Sequence, residues 1–234
     1  MIVGATTTLL GGRLVLAQPA RGEGYRVNVD ALLLARHALA LAPIDHAMDL
    51  GAGVGAIGLA LLVLGAVRRV SLIERDPHAA ALARENAARH EGLADVREVD
   101  VRALSPDARV DLVVCNPPYT PKAEGREALG ASRDAARRGD LDAFVAAAMR
   151  VSSRACFVYP AGALPSLLAS ASTHDATPTA IRLVHASDGV AARVALVTLE
   201  RGRHEATIEH PWIERREGLP DADLERFLRG ASSI

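Results

Sequence analysis

The tetrapeptide Asn116-Pro117-Pro118-Tyr119 follows an apolar run, Val110-Asp111-Leu112-Val113-Val114-Cys115, and lies roughly sixty residues beyond a glycine-rich turn, Asp49-Leu50-Gly51-Ala52-Gly53-Val54-Gly55. An amino group bonded to a planar ring or a carbonyl has a delocalised lone pair and is a poor nucleophile. An asparagine oxygen and a backbone carbonyl can each accept one of its N–H bonds, holding the nitrogen toward tetrahedral geometry with its lone pair aimed at an electrophile. Asn116 and the Pro117 carbonyl are candidates for those two acceptors. Two consecutive prolines make a stiff turn with no competing N–H, and Tyr119 offers a flat face for stacking. Asn116, Pro117, Pro118 and Tyr119 are therefore the candidate catalytic set, and the chemistry they suit is methyl transfer onto a planar nitrogen. On its own, Asn-Pro-Pro also reads as a plain strand end.

The glycine turn supplies the second half of such a site. Small residues at Gly51, Ala52, Gly53 and Gly55 let a ligand approach the backbone where a strand meets a helix. Gly53-Val54-Gly55-Ala56-Ile57-Gly58 also fits the G-x-G-x-x-G pattern of dinucleotide binders. Asp49 argues against that alternative, because a carboxylate there repels a pyrophosphate but suits the ammonium end of S-adenosylmethionine, which carries no phosphate. Glu74, roughly twenty residues on and followed by Arg75, is spaced to accept from both ribose hydroxyls, although dinucleotide enzymes use an acid there too. Asp100 is a candidate acceptor for an adenine amino group, with the Val101 amide as donor to a ring nitrogen. Read blandly, Asp100 is a turn residue and Glu74 a surface acid.

The elements that must position these residues alternate. Strands are expected over 47–50, 69–74, 96–99, 110–115 and 154–159. Helices are expected over 31–41, 55–66, from the Asp76-Pro77 cap to 90, from Asp140 to 151, and over 162–172. A hairpin is expected around 14–18, and two strands, 180–185 and 191–199, flank the turn signal Ser187-Asp188-Gly189. Alternating β and α implies a Rossmann-like, doubly wound, mostly parallel seven-stranded sheet, finished by a C-terminal antiparallel hairpin. The chain is expected to form a single α/β domain, with a 1–43 N-terminal segment, a 44–200 core and a 201–234 extension.

Composition narrows the function classes. Of 234 residues half are hydrophobic but only 3% aromatic, so the core is aliphatic and Tyr25, Tyr119, Tyr159 and Trp212 stand out. Cys115 and Cys156 lie in apolar runs without C-x-x-C spacing, which suits buried thiols in a reducing, cytoplasmic setting and no structural metal. The longest apolar stretch, about a dozen residues over 56–67, is too short to span a bilayer, and the N-terminus lacks signal-peptide features. Net charge is −1 and Lys122 is the only lysine, so nearly every cation is an arginine, the side chain suited to bidentate phosphate contacts. Arg126, Arg133 and Arg137, diluted by Glu124, Glu127 and Asp134, read as a solvated face. So do Arg201, Arg203, Arg215 and Arg216, interleaved with Glu205, Glu209 and Glu214.

Taken in order, the glycine turn, Glu74, Asp100 and Asn-Pro-Pro-Tyr make the chain resemble class I S-adenosylmethionine-dependent methyltransferases of the amino-methylating type. Gln18-Pro19, Gly24-Tyr25-Arg26 and Asp30-Ala31-Leu32-Leu33-Leu34-Ala35 add a resemblance to the bacterial family that methylates adenine N6 in the anticodon loop of a valine tRNA. That resemblance implies S-adenosylmethionine as cofactor, a tRNA partner, and Tyr25 and Asp30 near the methionine moiety. The chain departs from the pattern twice. Val151-Ser152-Ser153-Arg154 replaces the usual Lys-Pro-Gly-Gly-like turn, and Thr120-Pro121 replaces the second aromatic common in adenine-specific relatives. The same tetrapeptide serves glutamine N5-methyltransferases, which usually carry a helical recognition domain ahead of the core. DNA adenine methylation is a further alternative, but no target-recognition domain is visible.

Overall fold

Runs that are apolar at every position, such as Leu112-Val113-Val114-Cys115, cannot face water on either side, and they form the middle of the sheet. The computed structural model describes residues 5–19, 27–118 and 130–231, with backbone alone over 130–139. Strands β1 (Ala5–Leu9) and β2 (Leu14–Gln18) pair as an antiparallel hairpin, and helix α1 (Val29–Ala38) precedes the core. Then β3 (Ile44–Leu50), α2 (Ala56–Val63), β4 (Val67–Glu74), α3 (Pro77–Ala87), β5 (Ala94–Glu98) and β6 (Leu112–Cys115) alternate. After them come α4 (Gly130–Val151), β7 (Arg154–Pro160), α5 (Leu164–Thr173) and the antiparallel pair β8 (Ala176–His185) and β9 (Ala192–Arg201).

Strand order across the sheet is β5-β4-β3-β6-β7-β9-β8, parallel from β5 to β7 and antiparallel at β9. This bears out the expected seven strands and closing hairpin. Two short additions were not expected: β10 (Thr207–Ile208) and β11 (Trp212–Ile213) both run parallel to β8 along its outer edge. Two-residue strands carry no alternation signal. The small hairpin β12 (Arg215–Arg216) and β13 (Leu219–Pro220) leads into α6 (Ala222–Leu228).

Both faces of the sheet are covered. One apolar cluster joins α1, α2 and α3 to the face carrying Ala47, Leu72, Val114 and Val158. The other joins α4 and α5 to the face carrying Met48, Ile73, Val113 and Phe157. Helix α2 is apolar all round because it is sandwiched, with its first six residues buried. Asn86 docks the β1-β2 hairpin. Its Oδ1 accepts from the Ala17 amide at 2.7 Å, and its Nδ2 donates to the carbonyls of Ala17 and Val54 at 3.0 and 2.9 Å. Among the described residues no helix is long and apolar enough to cross a membrane, and no group of His, Cys, Asp or Glu is arranged to hold a metal.

Candidate active site

At the C-terminal edge of the parallel strands lies a cleft of about 860 Å³, the position where open α/β sheets bind ligands. The turn from β3 to α2 forms its floor. Gly51 and Gly53 take φ of +69° and +57°, the left-handed region that favours glycine. A Cβ at Gly51 would stand 3.0 Å from the Phe144 ring, whereas a Cβ at Gly53 would meet none of the described residues within 4 Å. The backbone at Gly53 is therefore open to a ligand. Gly55 has φ +90° and stands at the N-cap of α2. Gly58 is required by packing, since a Cβ there would approach Leu72 and Val70 to 2.7 and 2.8 Å.

Glu74 ends β4 and is held by two backbone donors, the Gly53 amide on Oε2 and the Asp76 amide on Oε1, each at 2.8 Å. A carboxylate has about four acceptor sites, so roughly two remain for a diol. Asp100 caps the turn after β5, accepting from the Arg102 amide at 2.9 Å. That backbone bond comes first in holding its carboxyl below the usual range, with the guanidiniums of Arg75 and Arg102 adding to it. Val101, Arg75 and Ala52 line the same cleft. Asn116, Pro117 and Pro118, at the end of β6, form its other side. Asp30, in the first turn of α1, also lines the cleft, fixed by Asn28, whose Oδ1 accepts from the Asp30 amide at 3.1 Å.

Asp49 departs from the sequence reading. It is wholly buried, is absent from the cleft lining, and uses Oδ2 to accept from the Gly58 amide at 2.9 Å. Side chains alternate along β3, so the residue two before Gly51 points under the turn and toward α2. Its Oδ1 has no hydrogen-bond partner among the described residues, and burial, against the Gly58 hydrogen bond, pushes its pKa up to about 7. Tyr25 and Tyr119 lie outside the described residues. Glu209 and Glu214 also differ from the expected solvated face: they pair with Arg182 and Arg193 and are mostly buried.

The structure adds Asn28, Phe144, Tyr159 and Val194 to the cleft. Asn28 carried a signal, an N-cap residue just ahead of an apolar helix. Phe144 and Tyr159 carried only the scarcity of aromatics. Cys115 and Cys156 are free thiols with no part in the site. Burial pushes Cys115 well up and Cys156 to about 12, so neither is a nucleophile at neutral pH.

Among the described residues, the cleft lining includes five carboxylates, Asp30, Glu74, Asp76, Asp100 and Asp140, against two guanidiniums, Arg75 and Arg102. An acidic cleft suits a ligand with sulfonium and ammonium charges and repels a pyrophosphate. Together with the open backbone at Gly53, this donor set fits S-adenosylmethionine.

Comparison with known proteins agrees. Residues 26–134 match the family model described as methyltransferase small domain. The chain is 38% identical over 95 residues to a release factor glutamine methyltransferase of Geobacter sulfurreducens, covering 41% of this chain and 31% of that protein. It is 35% identical over 108 residues to a tRNA1(Val) (adenine(37)-N6)-methyltransferase of Porphyromonas gingivalis, covering 42% of each. The chain thus spans less than half the length of the relatives it matches. A T. thermophilus 16S rRNA N2 methyltransferase, solved with AdoMet and guanosine, superimposes with a TM-score of 0.58 at 20% identity, over 85% of this chain and 50% of that one. Residues 26–134 are thus similar to the methyltransferase small domain, on the fold of a methyltransferase solved with AdoMet, and S-adenosylmethionine is the cofactor that the cleft fits.

Proposed function

We propose that the chain methylates the N6 amino group of an adenine in tRNA. The observation that carries this reading is the position of Asn116 and Pro117 at the end of β6, on the same cleft as Glu74 and Asp100. S-adenosylmethionine, when bound, supplies an electrophilic methyl group. Glu74 accepts from its ribose hydroxyls, Asp100 and Val101 read its adenine, and Gly51, Ala52 and Gly53 let it lie against the backbone. The target adenine is flipped out of its stack. Its amino group donates one N–H to Asn116 Oδ1 and one to the Pro117 carbonyl, and Tyr119 stacks on the ring. No dedicated base is required, because the methylated nitrogen is acidic enough to release its proton to water. The P. gingivalis relative supports the adenine assignment by its name.

A second reading is N5-methylation of a glutamine in a release factor, favoured by the Geobacter relative. A carboxamide presents the same two N–H bonds to Asn116 and Pro117. The two are separated by offering tritiated S-adenosylmethionine with unmodified total tRNA, total rRNA and a ribosome-free protein extract. Label recovered from tRNA as N6-methyladenosine is the expected result; label in protein alone overturns it in favour of glutamine.

A further inference from the structure

Strand β9 is irregular at one point. Val194 pairs with Val184 and Ala192 with His185, so Arg193 is an extra residue with no partner on β8. Such a bulge breaks the alternation of side chains and re-aims the one it carries, and bulges recur beside functional sites. Here the re-aimed guanidinium reaches the first turn of α1, where Nη1 donates to Asp30 Oδ1. Its other edge is held by Glu214, with Nη2 donating to Oε1 at 2.8 Å and Nε to Oε2 at 3.2 Å. Burial works against the charge on Arg193, and the bonds from Glu214 and Asp30 outweigh it, leaving its pKa raised.

Glu214 is itself delivered to the bulge. It follows β11, which pairs with Val184 and His185, and its amide donates to the His185 carbonyl at 2.8 Å. Asp30 and its neighbours Asn28 and Ala31 line the cleft, as does Val194 beside the bulge. They stand at the end formed by β6, β7 and β9, across β3 from Glu74 and Asp100. Two carboxylates share one guanidinium, so the group keeps a net negative charge at that end.

We propose that Arg193 is a positioning residue for the cofactor: bulged from β9 and clamped by Glu214 of the C-terminal segment, it fixes Asp30 as the wall of the cleft that receives the amino-acid end of S-adenosylmethionine. The inference rests on the cofactor reading of the cleft. It makes the segment after β9 part of the cofactor site, although the described residues of that segment do not line the cleft.

The test uses calorimetric titration of two ligands, S-adenosylhomocysteine and 5′-methylthioadenosine, which lacks the amino-acid end. Arg193→Gln is expected to weaken S-adenosylhomocysteine about tenfold or more, as loss of one charge-assisted contact does, and methylthioadenosine less than about twofold. Glu214→Gln follows the same pattern more weakly and serves if Arg193→Gln fails to fold. Arg193→Lys, which keeps the charge but not the fork, gives an intermediate loss. Unchanged affinity for S-adenosylhomocysteine with a lowered melting temperature would overturn the proposal, leaving Arg193 a structural tie. Equal weakening of both ligands would overturn it too. Failure of the wild-type chain to bind either ligand would remove the cofactor reading itself.

Discussion

Asp49 makes the stability of the chain depend on pH. Its carboxyl is wholly buried, with one oxygen on the Gly58 amide and the other unpaired among the described residues, and burial raises its pKa from 3.8 to about 7. Because the folded-state value lies above the unfolded one, the folded chain binds more protons between the two, and stability falls as pH rises through that window. At about 1.4 kcal/mol per pH unit, the gap between 3.8 and about 7 corresponds to about 4 kcal/mol in all. Roughly 3 kcal/mol of that is lost between about pH 5 and pH 8. Asp49→Asn keeps an acceptor for the Gly58 amide and does not titrate. Its buried NH2 carries a cost of about 1–3 kcal/mol that does not vary with pH. Urea unfolding of both proteins at about pH 5 and pH 8 is therefore expected to show the variant gaining roughly 3 kcal/mol on the wild type as pH rises. A difference between the two proteins that stays constant with pH would refute the argument.

His37 is the converse case. It is buried against Thr198, with Nε2 and Oγ1 2.9 Å apart, and burial, with Arg182 adding to it, lowers its pKa to about 4. The unfolded chain then binds more protons, so this contribution to stability is present above about pH 6.5 and is lost toward about pH 4, by about 3 kcal/mol. His37→Gln should lack that part of the acid slope in the same urea assay. Asn86→Ala strands the Ala17 amide and the carbonyls of Ala17 and Val54, and should cost about 3 kcal/mol or more in a denaturant titration. Gly51→Ala forces a Cβ against Phe144 at positive φ, and should weaken S-adenosylhomocysteine binding about tenfold or more in a calorimetric titration.

What the sequence made legible follows from what each signal encodes. The β-α alternation and the place of Glu74 and Asp100 on the cleft were readable because buried parallel strands are continuous apolar runs and open α/β sheets form their cleft at the strand ends. Asp49 was misassigned because spacing gives distance along the chain but not which face of the pleat a side chain takes. Helix α4 starts at Gly130, ten residues ahead of the expected Asp140 cap, since Gly139 and neighbouring charges imitate a helix start that the longer alanine-rich run overrides. Strand β8 starts at Ala176, ahead of the expected 180. Pro178 is accommodated at an edge irregularity between Pro178 and Ala180, where a proline is tolerated. Arg193 and Glu214 were unreadable as a pair, because their contact depends on a bulge and on a two-residue strand.

The most direct test of the central claim separates binding from turnover at Asn116. Wild-type chain and Asn116→Ala are compared for S-adenosylhomocysteine affinity by calorimetry and for formation of N6-methyladenosine in unmodified tRNA by nucleoside chromatography. If Asn116 orients the target amino group, the variant keeps affinity within about threefold and loses turnover by about a hundredfold or more. Turnover retained near the wild-type level, or lost only in step with cofactor affinity, would contradict the account.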